Sequence, residues 1–314
     1  MSQEMDAARW TDAGWRAAAE EWVEKQLAAL GLRRTGDVEQ PHVMRWSTVL
    51  KVPTDAGAVW FKANDGTMRH EAALTDLLAA RAPDRVPPLL AVDPESGWML
   101  MADAGERLRE VVQEERSLDR WHDVLASVAR IQLACEDAVP ELLSIGVPDL
   151  RLSALPDAYA RLVHELEVEE RFRAATPYVS ELCERLLATG IAETVQHDDL
   201  HDAQVFVRGG ANLVMDWGDA CVTHPFLTLS VPLEGVIAWG VDDEDEPVVD
   251  TAPFRDAYLA VYAEAYPALD REDLVRAAED AKRLGWACRA VNGHIPGDEG
   301  STHTRLRMFL DGRP

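Results

Sequence analysis

The chain has 314 residues, and its 31 Lys and Arg stand against 56 Asp and Glu, a formal net charge of −25 with a sequence pI near 4.6. So acidic a surface repels phosphate backbones and anionic lipid, which argues against general nucleic-acid binding and against docking on a membrane. The apolar share of 47% is that of an ordinary folded chain, long enough for one large domain or two lobes.

The start, Met1-Ser2-Gln3-Glu4, carries no apolar signal segment, and no apolar run approaches a membrane span; Phe226–Leu233, the longest, is broken by Glu234. Cys135, Cys183, Cys221 and Cys288 are far apart, with no metal-ligand spacing, and read as buried thiols of a reducing cytoplasm. Lysine is scarce: only Lys25, Lys51, Lys62 and Lys282 occur.

In chain order, residues 9–30 have helical spacing, with Trp15, Ala18, Ala19, Trp22, Leu27 and Leu30 on one face and Gly31 as the stop. His42–Lys51 and Ala58–Lys62 read as a hairpin around the turn at 53–57. His70–Arg81 returns to helical spacing, and Leu89–Val92 and Trp98–Met101 read as two further strands. After Ala104-Gly105 the pattern is mostly helical. It predicts helices over Leu118–Cys135, over Leu155–Glu170, from a Thr176 cap to Gly190, and through about 252–292. One hairpin interrupts them: Val205–Val207 and Asn212–Met215 flank Gly209-Gly210. The run Asp242–Asp250 reads as a solvated acidic loop. The pattern is α+β: strand-rich in the first third, helix-rich in the rest.

The chemistry concentrates in Gln196–Ala220. Gln204 and Asp216 follow Asp199 at 5 and 17 residues, and the Gly-Gly hairpin between them folds the three toward one another. Two carboxylates and an amide oxygen at one end of a hairpin are hard oxygen ligands of the kind Mg²⁺ takes, although aspartates at loop ends are usually caps or turn formers.

His197-Asp198-Asp199-Leu200-His201 and Val214-Met215-Asp216-Trp217 resemble the catalytic core of the aminoglycoside phosphotransferase and choline kinase family, relatives of the protein kinases. The resemblance covers residues 40–290. It implies a two-lobed, protein-kinase-like fold: a helical extension over 1–40, a small lobe with an antiparallel sheet over 41–101, a hinge over 102–105 and a helical lobe over 106–314. It implies an ATP-dependent, Mg²⁺-dependent kinase in which Asp199 orients the acceptor hydroxyl and accepts its proton. His197 would brace the loop, and Asp216, with Gln204, would hold the metal. Two residues depart from the family pattern: Asp198 stands where glycine is usual and Gln204 where asparagine is. They leave open an alternative, a catalytically impaired nucleotide-binding or regulatory protein.

Lys62 ends an apolar strand, and Glu71 follows 9 residues later on a helix. A strand lysine is ordinarily a solubilising charge and Glu71 an ordinary helix glutamate. In the kinase-like reading they are the phosphate-binding lysine and its partner. The resemblance also implies that Ser47 and Thr48 lie in a loop over the phosphates, although turn hydrogen bonding explains both equally well. Adenine would meet the backbone near Met101, Ala102 and Ala104. The acceptor, a small hydroxyl compound such as an aminoglycoside, amino sugar, sugar or amino alcohol, would dock after Asp216. Candidates there are Asp219, His224, Glu234, Trp239, Trp286, Asn292, His294 and the acidic run from Asp242 to Glu246.

Overall fold

The computed structural model describes residues 7–312. The chain forms two compact units: residues up to Gly105 together with Asp216–Gly218, and Glu106–Met215 together with the chain from Asp219 onward.

The first unit is an antiparallel sheet with two helices. Its strands are β1 (Glu39–Val43), β2 (Ser47–Thr54), β3 (Gly57–Asn64), β4 (Leu89–Asp93) and β5 (Trp98–Ala102), in the order β1-β2-β3-β5-β4. The β2–β3 hairpin turns on Asp55-Ala56, and Gly57 beyond it takes φ +110°. The stretch expected to be one strand, 42–51, is instead two. Met44 N donates to Ser47 O (2.8 Å), and the turn is held by distant groups: Trp10 Nε1 donates to Met44 O and Arg9 Nη2 to Arg45 O.

Helix α1 (Ala13–Ala29) begins where the Asp12 carboxylate accepts from Trp15 N, and it ends before Gly31 at φ +71°. Its buried face is Ala19, Val23 and Leu27, whereas Ala18 and Leu30, expected on that face, are exposed. This face packs on Leu50, Val52, Phe61 and Leu100 of the sheet, and Trp22, Phe61 and Trp98 meet within 6 Å, edge-on or tilted. Helix α2 (His70–Arg81) spans the residues its periodicity predicts.

The second unit is mainly helical: α3 (Leu108–Glu115), α4 (Arg120–Leu133), α5 (Val139–Ser144), α6 (Leu155–Glu165), α7 (Glu170–Ala174), α8 (Thr176–Leu187), α9 (Ala252–Ala265), α10 (Arg271–Asn292) and α11 (Glu299–Asp311). The predicted helix over 155–170 stops at Glu165. The Arg173 guanidinium draws out the next turn by donating to the carbonyls of Val163, Leu166 and Val168. Thr176 does not cap α8; its hydroxyl donates back to Arg173 O. The predicted helix through 252–292 breaks around Pro267, and α10 restarts where Asp270 accepts from Asp273 N. The apolar stretch from Phe226 to Leu233 is irregular helical turns, and α10 packs close against it: a Cβ on Gly285 would lie 1.9 Å from Ser230 Oγ.

Two small sheets hold the loops. β6 (Glu106–Arg107), β8 (Val205–Arg208) and β9 (Ala211–Val214) form one, with Val205 opposite Val214. Gly209 and Gly210 both take positive φ, +57° and +86°, as a tight two-residue hairpin requires. β7 (Thr194–Gln196) pairs with β10 (Cys221–Thr223); these three-residue strands are too short for periodicity to mark. All four cysteines are buried free thiols. Among the described residues no helix is long and apolar enough to cross a membrane.

Candidate active site

In the first unit, Lys62 on β3 lies between Val49 of β2 and Met99 of β5 and is buried rather than solvated. Its Nζ donates to Glu71 Oε1 (2.8 Å) on α2 and to Asp216 Oδ1 (2.6 Å). The Lys62, Glu71 and Asp216 side chains are 9%, 1% and 43% exposed, so the group opens to solvent on the Asp216 side only. Burial disfavours the ammonium, but Asp216 and Glu71 outweigh it and hold the Lys62 pKa above its ordinary value. Burial raises the Glu71 pKa against the pull of Lys62, and the Asp216 charge adds to the rise.

Asn64, two residues after Lys62, was not marked by the sequence. Its Nδ2 donates to the second Glu71 oxygen and to Met68 O (3.3 Å), tying β3 to the start of α2. Gly218 admits this arrangement: a Cβ there would sit 3.2 Å from both Glu71 Oε2 and Met68 Sδ.

Ser47 and Thr48 open β2 and are buried; the loop is at 44–46 instead. The Thr48 hydroxyl donates to His42 O and accepts from Gln40 Nε2, and Ser47 Oγ lies 3.2 Å from His42 Nε2. Met101 is buried on β5 and Ala102 ends that strand, its N–H on Pro88 O; Ala104 is buried. The stretch after β5 is pinned: Asp103 accepts from Trp60 Nε1 with one oxygen and from Gly105 N with the other.

In the second unit, His197 is fully buried. Its Nε2 lies 2.7 Å from Met215 O, and its Nδ1 accepts from Asp199 N (3.4 Å), which ties the loop after β7 to the end of the hairpin. Gln204 O accepts from Met215 N (2.8 Å), so Gln204 stands across from the residue that precedes Asp216 in the chain.

Asp198 takes φ +63°, a region that favours glycine but that aspartate tolerates better than most residues. Its buried carboxylate accepts from Gln196 Nε2 and Asn292 Nδ2, both at 2.9 Å. Burial raises the Asp198 pKa, with Arg289 and these two hydrogen bonds opposing. Arg289 of α10 donates to Asp198 O with Nη1 and to Asp199 Oδ1 with Nη2. His201 Nε2 lies 3.9 Å from Asp199 Oδ2. Burial disfavours the Arg289 cation, yet Asp199, Asp198 and Asp219 outweigh it and hold it charged. Arg289 lies 90 residues beyond Asp199, and no local pattern marks it.

Of the acceptor candidates, Glu234, Trp239 and Trp286 converge. Trp286 Nε1 donates to Glu234 Oε2 (2.6 Å) and Trp239 Nε1 to Glu234 O (2.8 Å), with Lys282 Nζ 4.0 Å from Glu234 Oε1. Asp219 O accepts from Asn292 Nδ2, which joins Asp219 to the Asp198 group, and His294 Nδ1 lies 3.0 Å from Thr302 Oγ1. Residues 242–246 of the acidic run are exposed, and Arg116 pairs with Asp242.

His224 is fully buried and accepts from Phe226 N through Nδ1, as a helix cap. Burial pushes its pKa down to about 3 from 6.5. The folded state therefore binds fewer protons than the unfolded one. This contribution to stability is complete above about pH 6.5 and is lost as pH falls toward 3, by about 2 kcal/mol at pH 5. His224→Asn, which keeps a capping oxygen without the titration, should flatten that part of the stability curve. Urea melts at pH 7 and pH 5 test this, and an unchanged difference between the two would refute it.

A lysine–glutamate pair spanning strand and helix, with an aspartate beyond a tight hairpin, is the frame of the protein-kinase-like phosphotransferases. The chain belongs to the phosphotransferase enzyme family, which matches residues 31–274, and it is a phosphotransferase. This is the family that the motif at 197–217 resembles. No curated protein sequence matches the chain significantly. Among solved structures it is similar to an ethanolamine kinase from Plasmodium vivax, at 11% identity and TM-score 0.61, over 88% of this chain and 81% of that one. It is similar to the GDP and kanamycin complex of APH(2")-IIia, at 14% and 0.59, over 93% and 98%. It is also similar to the streptomycin–ATP ternary complex of APH(2")-IIa, at 14% and 0.56, over 94% and 98%. At these identities the likeness is one of fold.

Proposed function

We propose that the protein is an ATP-dependent small-molecule kinase that transfers the γ-phosphate to a hydroxyl of an aminoglycoside, amino sugar, sugar or amino alcohol. The observation that carries this reading is Lys62, a buried ammonium held between Glu71 and Asp216. A buried cation costs the fold unless it serves a ligand or a network, and in the kinase reading it compensates the charge of a triphosphate. Asp199 orients the acceptor hydroxyl and takes its proton, and His197 keeps the loop in place. The names of similar structures, an ethanolamine kinase and complexes with kanamycin and streptomycin, support an amino-bearing acceptor. Glu234 beside Trp239 and Trp286 suits such a cation.

Among the described residues no three His, Cys, Asp or Glu side chains gather as a metal-binding group. Mg²⁺ needs no such cage: one carboxylate, one amide oxygen, phosphate oxygens and water suffice. Asp216 and Gln204 are hard oxygen donors that fit it. Mg²⁺ would supply charge neutralisation on the transferred phosphate. Adenine is assigned to the backbone at Met101, Ala102 and Ala104, and the enzyme to the cytoplasm, which the four buried free cysteines support.

The reading predicts a thermal shift. ATP with Mg²⁺ should raise the melting temperature by several degrees, more than ATP with EDTA, and GTP in parallel reports nucleotide choice. No shift with either nucleotide would refute it. The reading of a catalytically impaired binder rests on Gln204, the longer amide in place of asparagine, and on Asp198 in place of glycine. It predicts the shift without turnover.

A further inference from the structure

We propose that Asp198 and Arg289 are positioning residues that fix the orientation of the Asp199 carboxylate during phosphoryl transfer; this rests on the kinase reading above.

Asp198 combines two unfavourable features. Its backbone sits at φ +63°, where glycine is free of strain, and its carboxylate is 4% exposed. Glycine would remove both costs. What aspartate adds is a fixed negative charge and two acceptor oxygens. Gln196 of β7 and Asn292 of α10 hold that carboxylate, and its charge faces Arg289.

Arg289 uses its planar fork on a single dipeptide, one nitrogen on Asp198 O and the other on Asp199 Oδ1. The fork is aimed by its helix. The neighbours Ala287, Cys288 and Ala290 are fully buried, and Gly285 lets α10 sit tightly on Ser230 and Leu227. The helix that carries the guanidinium is therefore fixed, and these two hydrogen bonds tie the loop to it. The surrounding charges are Asp219, whose carbonyl accepts from Asn292, Arg305, which donates to Gly293 O, and His201 beside Asp199 Oδ2. With Asp198 removed, Arg289 loses a counter-charge and its hold on the Asp199 carboxylate loosens. A misplacement of about 1 Å in a reacting group costs on the order of 100-fold in rate.

The test uses MgATP with water as acceptor (ATP hydrolysis) and with any hydroxyl compound the wild type phosphorylates. Arg289→Met should lower kcat about 100-fold and Asp198→Gly about 10-fold, with KM for ATP within about twofold of wild type. Arg289→Lys should recover part of the loss, as should millimolar guanidinium ion added to Arg289→Ala. A merely structural tie predicts a lower melting temperature for Arg289→Met and Asp198→Gly with unchanged kcat and no guanidinium rescue. That result would overturn the proposal while leaving the kinase reading intact. A wild type that neither binds nor turns over MgATP would overturn both.

Discussion

Asp199→Ala should lower phosphoryl transfer by about 10³-fold while MgATP affinity changes less than about threefold. General-base and orienting carboxylates contribute about 10²–10⁴ in rate, and within its unit Asp199 meets Arg289, His201 and His197. The fold should survive, because Arg289 retains Asp198 O and the charges of Asp198 and Asp219. Steady-state rates beside calorimetric titration of MgATP separate the two effects. Wild-type turnover in the variant would remove Asp199 from the mechanism. Equal loss of binding and rate would make it a structural residue.

Lys62→Met should remove MgATP affinity by at least tenfold and also destabilise the protein. Breaking a buried ion pair from one side costs about 3–5 kcal/mol, because the remaining charge is uncompensated. Here the remaining charge is Glu71, 1% exposed and already held above its ordinary pKa by burial. In the variant Glu71 takes up a proton on folding. The folded state then binds more protons than the unfolded one, so the stability of Lys62→Met falls as pH rises above about 4.5. Adding Glu71→Gln removes the buried charge and should restore most of the stability, since Asn64 and Asp216 still bound the site. Nucleotide binding should stay lost. Chemical melts at pH 5 and pH 8 and MgATP titrations on both variants read this directly. A double variant that regains MgATP affinity would show Lys62 to be a structural charge only.

What could be read in advance follows a physical division. Both tight hairpins carry their signals locally: Asp55-Ala56 before Gly57, and Gly209-Gly210 between alternating strands. Helix α2 was legible because its periodicity and its ends are its own. The break between β1 and β2 was not, because Trp10 and Arg9, more than thirty residues away, hold the turn at Met44 and Arg45. The same holds within the site. Lys62 and Glu71 could be paired through the resemblance to kinase-like folds, and Asp199 and Asp216 from the motif. Asn64 and Arg289 could not, since nothing near either residue in sequence sets it apart. Arg289 meets Asp199 only because α10 folds back across 90 residues of chain. His224 shows the converse: a histidine after the motif suggests substrate binding, and burial makes it a neutral cap.

The most direct measurement of the central claim is a mass-spectrometric screen for phosphorylated product. Wild type and Asp199→Ala would be run with MgATP over aminoglycosides, amino sugars, sugars and amino alcohols. The account predicts at least one acceptor gaining a single phosphoryl group with wild type and none with the variant. Tight MgATP binding with no acceptor phosphorylated, or the same products from both proteins, would contradict it.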